Sequence, residues 1–174
     1  EFGDNNSFKT QDTVYDTTGQ IQRVSLPYWT SGSSRSDPTS DWTLFTSFTY
    51  DPLYRQLTST NTLGTSEFQY TNWQTTSIDQ NGNRKDIIYN AYDELVQVNE
   101  YNNDGIYPTN YAYDLSGNIT KITDALGNFR SFTYDSLNRR TTATDLHAPS
   151  DSTYGVYTYG YDAAGNLTEK VDPN

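Results

Sequence analysis

The chain contains no cysteine and no methionine, a single histidine (His147), and half as many basic as acidic residues, 11 against 22. Each shortage removes a class of function. Without cysteine there is no disulfide framework, thiolate zinc site or thiol nucleophile. One histidine leaves few candidates for metal or triad chemistry. The net charge of −11 argues against nucleic acid, heparin or anionic lipid as the main partner. No apolar run approaches the roughly 20 residues of a membrane-crossing helix, so membrane insertion by this segment is not expected, and no signal peptide opens the sequence. A sustained helical period is also missing; the one helix-tolerant stretch, Asp93–Val98, is short.

What is abundant is aromatic. The 174 residues include 16 tyrosines, 7 phenylalanines and 3 tryptophans. Low mean hydropathy alone would suggest disorder, but only 19% of residues are charged, and a solvated tail does not carry that many rings. A tyrosine ring buries a large area while its hydroxyl needs one partner. Together with many Thr, Asn and Gly residues, this composition favours strands and tight turns. The expectation is a folded, all-β chain.

The chain repeats itself. Tyr-Asp occurs at Tyr15-Asp16, Tyr50-Asp51, Tyr92-Asp93, Tyr113-Asp114, Tyr134-Asp135 and Tyr161-Asp162, at intervals of 35, 42, 21, 21 and 27 residues. The doubled interval holds a worn copy, Phe68-Gln69-Tyr70-Thr71. The 35 and 27 intervals read as 21 plus insertions, at about 25–47 and 147–155. An aromatic precedes the tyrosine by two residues at Phe48, Tyr111, Phe132 and Tyr159. Three residues after the Asp stands Gly19, Gly117 or Gly165, with Tyr54 or Asn138 in worn copies. Ten after the Asp comes Asn61, Asn103, Asp124, Asp145 or Asp172, and Gly64 and Gly127 follow three later.

Elementary chemistry accounts for these types. Aromatics at i and i+2 share one strand face. An Asp opening a tight turn accepts hydrogen bonds from backbone N–H groups further on, and a Gly supplies the positive φ that the turn needs before the chain re-enters a strand. Tyr54, in a glycine position, is strained or belongs to another turn type. Two turns per 21 residues leave two strands of about 6–8 residues, an array of antiparallel β-hairpins.

At these residues the chain resembles the YD-repeat (RHS-repeat) family, which includes RHS polymorphic toxins, the B-component and SpvB-like proteins of Tc toxins, and the related teneurin shell. The best copies are Tyr111–Arg130, Phe132–Asp145 and Tyr159–Asn174, and the Leu26-Pro27-Tyr28-Trp29 stretch is similar to a segment of the B-component proteins. The resemblance implies a β-sheet strip spiralling into a hollow shell that encloses a C-terminal toxin domain. The Asp-Pro pairs at Asp37, Asp51 and Asp172 are not followed by Gly-Leu, so the self-cleaving core region of such shells is not represented. The expectation is therefore a non-catalytic, cofactor-free segment, residues 1–174, of a much larger bacterial protein, secreted or at the cell surface. Its partners would be the rest of the parent shell and the toxin cargo, with edge-to-edge self-association through unpaired strand edges. The alternative is a surface adhesion or carbohydrate-binding module on the same repeats. For that alternative Trp29, Trp42 and Trp73, which lie off the motif, are the ligand-contact candidates. The motif tyrosines are read as packing between hairpins, and the Asn102–Gly105 and Asp79–Asn83 clusters as capped turns rather than calcium loops, since neither has EF-hand spacing.

Overall fold

A computed structural model describes residues 7–31, 44–144 and 154–173. Trp42, Asp37, Asp145 and His147 lie outside them, as does most of both insertions. The described residues form sixteen strands and no helix. The chain divides into two compact units, one built from Glu1–Gln69 and Ser77–Asn83, the other from Tyr70–Thr76 and Arg84–Asn174.

The first unit contains β1 (Ser7–Thr10), β2 (Thr13–Tyr15), β3 (Ile21–Ser25), β4 (Tyr28–Ser31), β5 (Phe45–Tyr50), β6 (Gln56–Asn61) and, but for its last residue, β7 (Gly64–Tyr70). Its sheet runs β2-β3-β5-β6-β7, antiparallel throughout, while β1 pairs with β4. β1 with β2 and β3 with β4 make one long hairpin interrupted at Gln11-Asp12 and Leu26-Pro27. Proline lacks the N–H a ladder needs, and side chains fill the break. Ser25 Oγ accepts from the Asp12 N–H, the Gln11 amide donates to the Ser25 carbonyl, and the Tyr28 hydroxyl donates to the Asp12 carboxylate. The first insertion leaves the sheet undisturbed, because Arg23 of β3 still faces Ser47 of β5.

β8 (Gln74–Ile78) contributes residues to both units. The second unit then adds β9 (Arg84–Tyr89), β10 (Leu95–Asn102), β11 (Gly105–Tyr113), β12 (Ile119–Thr123), β13 (Phe129–Tyr134), β14 (Arg140–Thr144), β15 (Val156–Tyr161) and β16 (Leu167–Val171). Each strand from β9 to β16 pairs antiparallel with the next. Hairpin follows hairpin without a crossover, as alternating strands and short turns dictate.

The core is thin. Among the described residues Ala143 is the one buried hydrophobic residue, and no large side chain is fully buried. The paired aromatics Phe48/Tyr50, Tyr111/Tyr113, Phe132/Tyr134 and Tyr159/Tyr161 are half-buried along their strands. Leucines at the turn tips, Leu53, Leu63, Leu115, Leu126 and Leu137, stand in solvent.

Candidate functional site

The repeated element is a turn and a tie. In the turn opened by Asp114, the Asp114 N–H donates to the Asn118 carbonyl at 3.0 Å and the Gly117 N–H returns to the Asp114 carbonyl at 3.1 Å. Asp114 Oδ1 accepts the N–H groups of Ser116 and Asn118, both at 2.9 Å, and Oδ2 accepts Asn118 Nδ2 at 3.0 Å. Gly117 has φ +80°. This is a three-residue hairpin loop closed by a left-handed residue, with the register shift such a loop imposes on the flanking pair. The same backbone pair of bonds recurs at Asp16, Asp51, Asp79, Asp124, Asp135 and Asp162. Where Asn follows the glycine (Asn83, Asn118, Asn128, Asn166), its carboxamide is the leading cause holding the turn carboxylate below the ordinary value. That fifth residue is part of the motif and was legible as the recurring Gly-Asn pair.

The tie is made by the tyrosine before the turn. Tyr50 donates its hydroxyl to the Ile21 carbonyl at 2.9 Å, Tyr113 to Leu95 at 2.8 Å, Tyr134 to Ile119 at 2.9 Å and Tyr161 to Arg140 at 2.9 Å. Each acceptor is the fifth residue after an earlier opener, Asp16, Asn90, Asp114 or Asp135, so each of these four rings reaches back to the hairpin before its own. Burial raises the hydroxyl pKa of Tyr113 and Tyr134. Tyr15, at the end of β2, is largely exposed, and its hydroxyl has no acceptor among the described residues.

Two expectations need correction, and a third is resolved between its alternatives. Tyr92-Asp93 does not hold the motif position. The turn there is opened by Asn90, whose N–H donates to the Glu94 carbonyl and whose Oδ1 accepts the N–H groups of Tyr92 and Glu94. Tyr92 is at the turn tip, 85% exposed, and Asp93 occupies the glycine place with φ +63°. The residue in the repeat-tyrosine position is Tyr89, whose hydroxyl makes no tie among the described residues, and Leu95, five after Asn90, accepts the tie from Tyr113. A chance Tyr-Asp three residues late masked it. For Tyr54 the strained alternative holds: it closes the same turn type as the others, with φ +63° and its N–H on the Asp51 carbonyl at 2.9 Å. Asn103 does not open its turn either; Asn102 faces Gly105 across a two-residue loop.

One cluster escaped sequence reading. Asp86, 3% exposed, accepts from Arg84 Nε at 3.0 Å and Nη2 at 2.9 Å, from the Tyr101 hydroxyl at 2.7 Å and from the Thr76 hydroxyl at 2.7 Å. Arg84 also lies over the Tyr101 ring, 4.6 Å from its centroid. Burial pushes the Asp86 carboxyl up, but the bonds from Arg84, Tyr101 and Thr76 outweigh it and hold it below the usual value. The signal was Arg84-x-Asp86 on one strand face with Tyr101 directly opposite Arg84.

Trp42 lies outside the described residues, and Trp29 and Trp73 belong to different units. Trp29 is an exposed residue of β4, opposite Lys9. Trp73 lines an open pocket of about 550 Å³ with Thr71, Asn72, Gln74 and Ile88, its carbonyl held by the Tyr89 N–H at 2.8 Å. The Asp79 carboxylate is occupied by its own turn, with bonds from Asn81 and Asn83, and Asp104 accepts from Tyr107. No group of three or more metal-binding side chains occurs among the described residues.

Residues 113–153 match the RHS Repeat family. No curated protein matches the chain. Among solved structures it is similar to the crystal structure of TcdB2-TccC3-TEV, with TM-score 0.57 and 16% identity, covering 92% of this chain and 10% of that one. The crystal structure of TcdB2-TccC3 gives TM-score 0.56 and 16% identity, over 97% of this chain and 11% of that one. The Photorhabdus luminescens Tc holotoxin pore with a mutated TccC3 gives 0.51 and 16%, over 91% and 10%. At such identity the likeness is one of fold. The chain spans about a tenth of the length of these structures.

Proposed function

We propose that the chain is an RHS (YD) repeat protein, a non-catalytic segment of a bacterial β-shell that encloses a C-terminal toxin domain and helps deliver it. The observation that carries this reading is the tie: four hairpins are each fastened to an earlier one by a tyrosine hydroxyl, that of Tyr50, Tyr113, Tyr134 or Tyr161, rather than by a core of their own. Strands with one buried hydrophobic residue among those described gain little by folding alone, and much by continuing as a strip. The turn carboxylates accept hydrogen bonds from turn amides, which supports a structural role for them. Secretion or display at the cell surface goes with this role, as do the remaining repeats and the toxin domain as partners.

Limited proteolysis of the complete gene product tests it. The expected outcome is a C-terminal segment that resists protease until denaturant opens the protein. Cleavage as fast as in the separately expressed segment would sink the proposal.

A second reading, an adhesion or carbohydrate-binding module, is favoured by the Trp73 pocket, which offers an exposed indole beside the neutral polar residues Thr71, Asn72 and Gln74. A glycan array with the Trp73→Ala variant tests it. Binding that this substitution abolishes would support the module, and an array without binders would remove it.

A further inference from the structure

The loop that carries Trp73 departs from the repeat. Residues 71–73 alone join β7 to β8, where 90–94 join β9 to β10 and 114–118 join β11 to β12. No carboxylate opens this shorter turn. Instead the Thr71 N–H donates to the Gln74 carbonyl at 2.9 Å, and the Thr71 hydroxyl donates to the same carbonyl at 3.3 Å. The pocket of about 550 Å³ lies at this loop, and every side chain that lines it is uncharged. Trp73 supplies an exposed indole and Ile88 of β9 an apolar patch.

From the pocket wall a chain of hydrogen bonds runs to the buried Asp86. Gln74 Nε2 donates to the Thr76 hydroxyl at 3.0 Å, and the buried Thr76 hydroxyl donates to Asp86 Oδ1 at 2.7 Å. Chemistry fixes the sense of both bonds. A carboxylate held by both Arg84 Nε and Nη2 is an acceptor only, so the Thr76 proton goes to Asp86. The Thr76 oxygen can then only accept, so the amide nitrogen of Gln74 has to face it. That leaves Gln74 Oε1 as an acceptor with no partner among the described residues. Thr71 is in a similar state: its proton is on the Gln74 carbonyl, and its oxygen is free to accept. Two acceptors of fixed sense therefore line the pocket with the indole, together with the Asn72 carboxamide.

We infer that the Trp73 pocket binds a neutral pyranose, whose ring stacks on the indole and whose hydroxyls donate to Gln74 Oε1 and Thr71 Oγ1. This rests on the carbohydrate-binding reading and names its ligand class. It also gives the buried Asp86 and Thr76 a positioning task, because together they hold the Gln74 carboxamide one way round. The C–H groups on one side of a pyranose meet the electron-rich face of an aromatic ring, and its hydroxyls bring the protons that both acceptors lack. An acidic sugar is the wrong ligand. Its carboxylate has no proton to give, and among the described residues no cation lines the pocket to receive it. Arg84 is engaged by Asp86 and the Tyr101 ring. A site built to bond a hydroxyl discriminates against ligands that leave its polar groups unpaired.

The test titrates the full chain with the methyl glycosides of glucose, galactose and mannose, each beside its uronic acid, and follows the Trp73 indole N–H by NMR. At least one neutral glycoside is expected to shift that signal and to bind about tenfold more tightly than its uronic acid. Gln74→Met removes the acceptor from the pocket wall, and Thr76→Val removes the group that orients it. Each is expected to weaken binding about tenfold and to narrow the preference for the neutral ring. Thr76→Ser keeps the hydroxyl and is expected to restore both. No shift with any neutral glycoside, or equal affinity for a glycoside and its uronic acid, would overturn the ligand class. Unchanged affinity in Thr76→Val would overturn the positioning task; if that variant does not fold, unchanged affinity in Gln74→Met does so, because no acceptor would then need orienting. Binding of acidic glycans alone, lost in Trp73→Ala, would overturn this inference and leave the carbohydrate module standing. A chain that binds no glycan loses both.

Discussion

The same dipeptide does two jobs in neighbouring stretches of the second unit. At Tyr113-Asp114 the tyrosine ties back to Leu95 and the aspartate opens a turn closed by Gly117. At Tyr92-Asp93 the tyrosine points into solvent and the aspartate sits where the glycine belongs. The repeat is therefore defined by a hydroxyl that finds a carbonyl and by an acceptor side chain that opens a turn. Asn90 opens a turn as well as Asp114 does, because both offer an oxygen to N–H groups two and four residues on. What separates the two stretches is how they are stabilised. From β11 to β15 the motif recurs at Tyr113, Tyr134 and Tyr161, and among the described residues there no carboxylate is buried. In Arg84–Tyr101 the motif is worn, and the buried Asp86 with its four hydrogen bonds takes its place.

That contrast breaks most visibly at Asp86. Asp86→Ala leaves the Thr76 and Tyr101 hydroxyls and the Arg84 guanidinium without their acceptor. Losing one partner of a buried charged pair costs several kcal/mol, and the half-exposed Arg84 recovers some of that from water. The expected loss is about 2–3 kcal/mol in urea unfolding. An equally large loss for Asp135→Ala, whose ion pair with Arg139 is less buried than that of Asp86, would erase the distinction between the stretches.

The tyrosines give the next largest difference. Tyr113→Ala removes a half-buried ring and its bond to Leu95, and is expected to cost about 2 kcal/mol, less than a fully buried ring would. Tyr92→Ala, at an exposed turn tip, is expected to stay within about 0.5 kcal/mol. Equal costs measured by thermal unfolding would mean that the Tyr-Asp letters, not the tie, define the repeat.

Most of the architecture was legible because the repeat writes it twice, as a strand face and as a turn. Alternating Phe132 and Tyr134 announced the face, and Asp114 with Gly117 announced the turn. The tie itself was not legible. A tyrosine two residues from another aromatic reads as packing, and nothing local says that its hydroxyl will meet a carbonyl 15 to 29 residues away. Asp86 was hidden for a related reason. Its partners Thr76 and Tyr101 become neighbours only through strand pairing, and a lone Asp within Arg-Lys-Asp looks like a solvated face. The worn turn misled through a coincidence of letters at Tyr92-Asp93.

Turn conformation gives a smaller effect of opposite sign at the two places. Gly117→Val puts a β-branched residue at φ +80°, where a Cβ would find room beside Glu94 Oε1 at 3.6 Å, so only backbone strain opposes it. The expected cost is about 1–2 kcal/mol. Asp93→Gly relieves the same strain at φ +63° and is expected to stabilise by about 0.5 kcal/mol, read from the urea midpoint. Destabilisation by Asp93→Gly would show that the aspartate does more there than occupy a glycine position.

The smallest effect concerns protons. The Asn118 carboxamide first, then the Asn118 and Ser116 N–H groups, hold the Asp114 carboxyl below its ordinary value. A depressed native pKa stabilises the fold at pH values above the unfolded value of about 4, and that contribution disappears as pH falls through the lower native value. Asn90 opens its turn with an oxygen that does not titrate. Followed by NMR in acid, the Ser116 amide, bonded to Asp114 Oδ1, is expected to shift with a midpoint below the ordinary Asp value. The Tyr92 amide, bonded to Asn90 Oδ1 in the equivalent place, is expected to show no such titration until the protein unfolds. A Ser116 midpoint at or above the ordinary value would mean that the asparagine after the glycine does not favour the charged carboxylate, and the recurring Gly-Asn pair would then need another explanation.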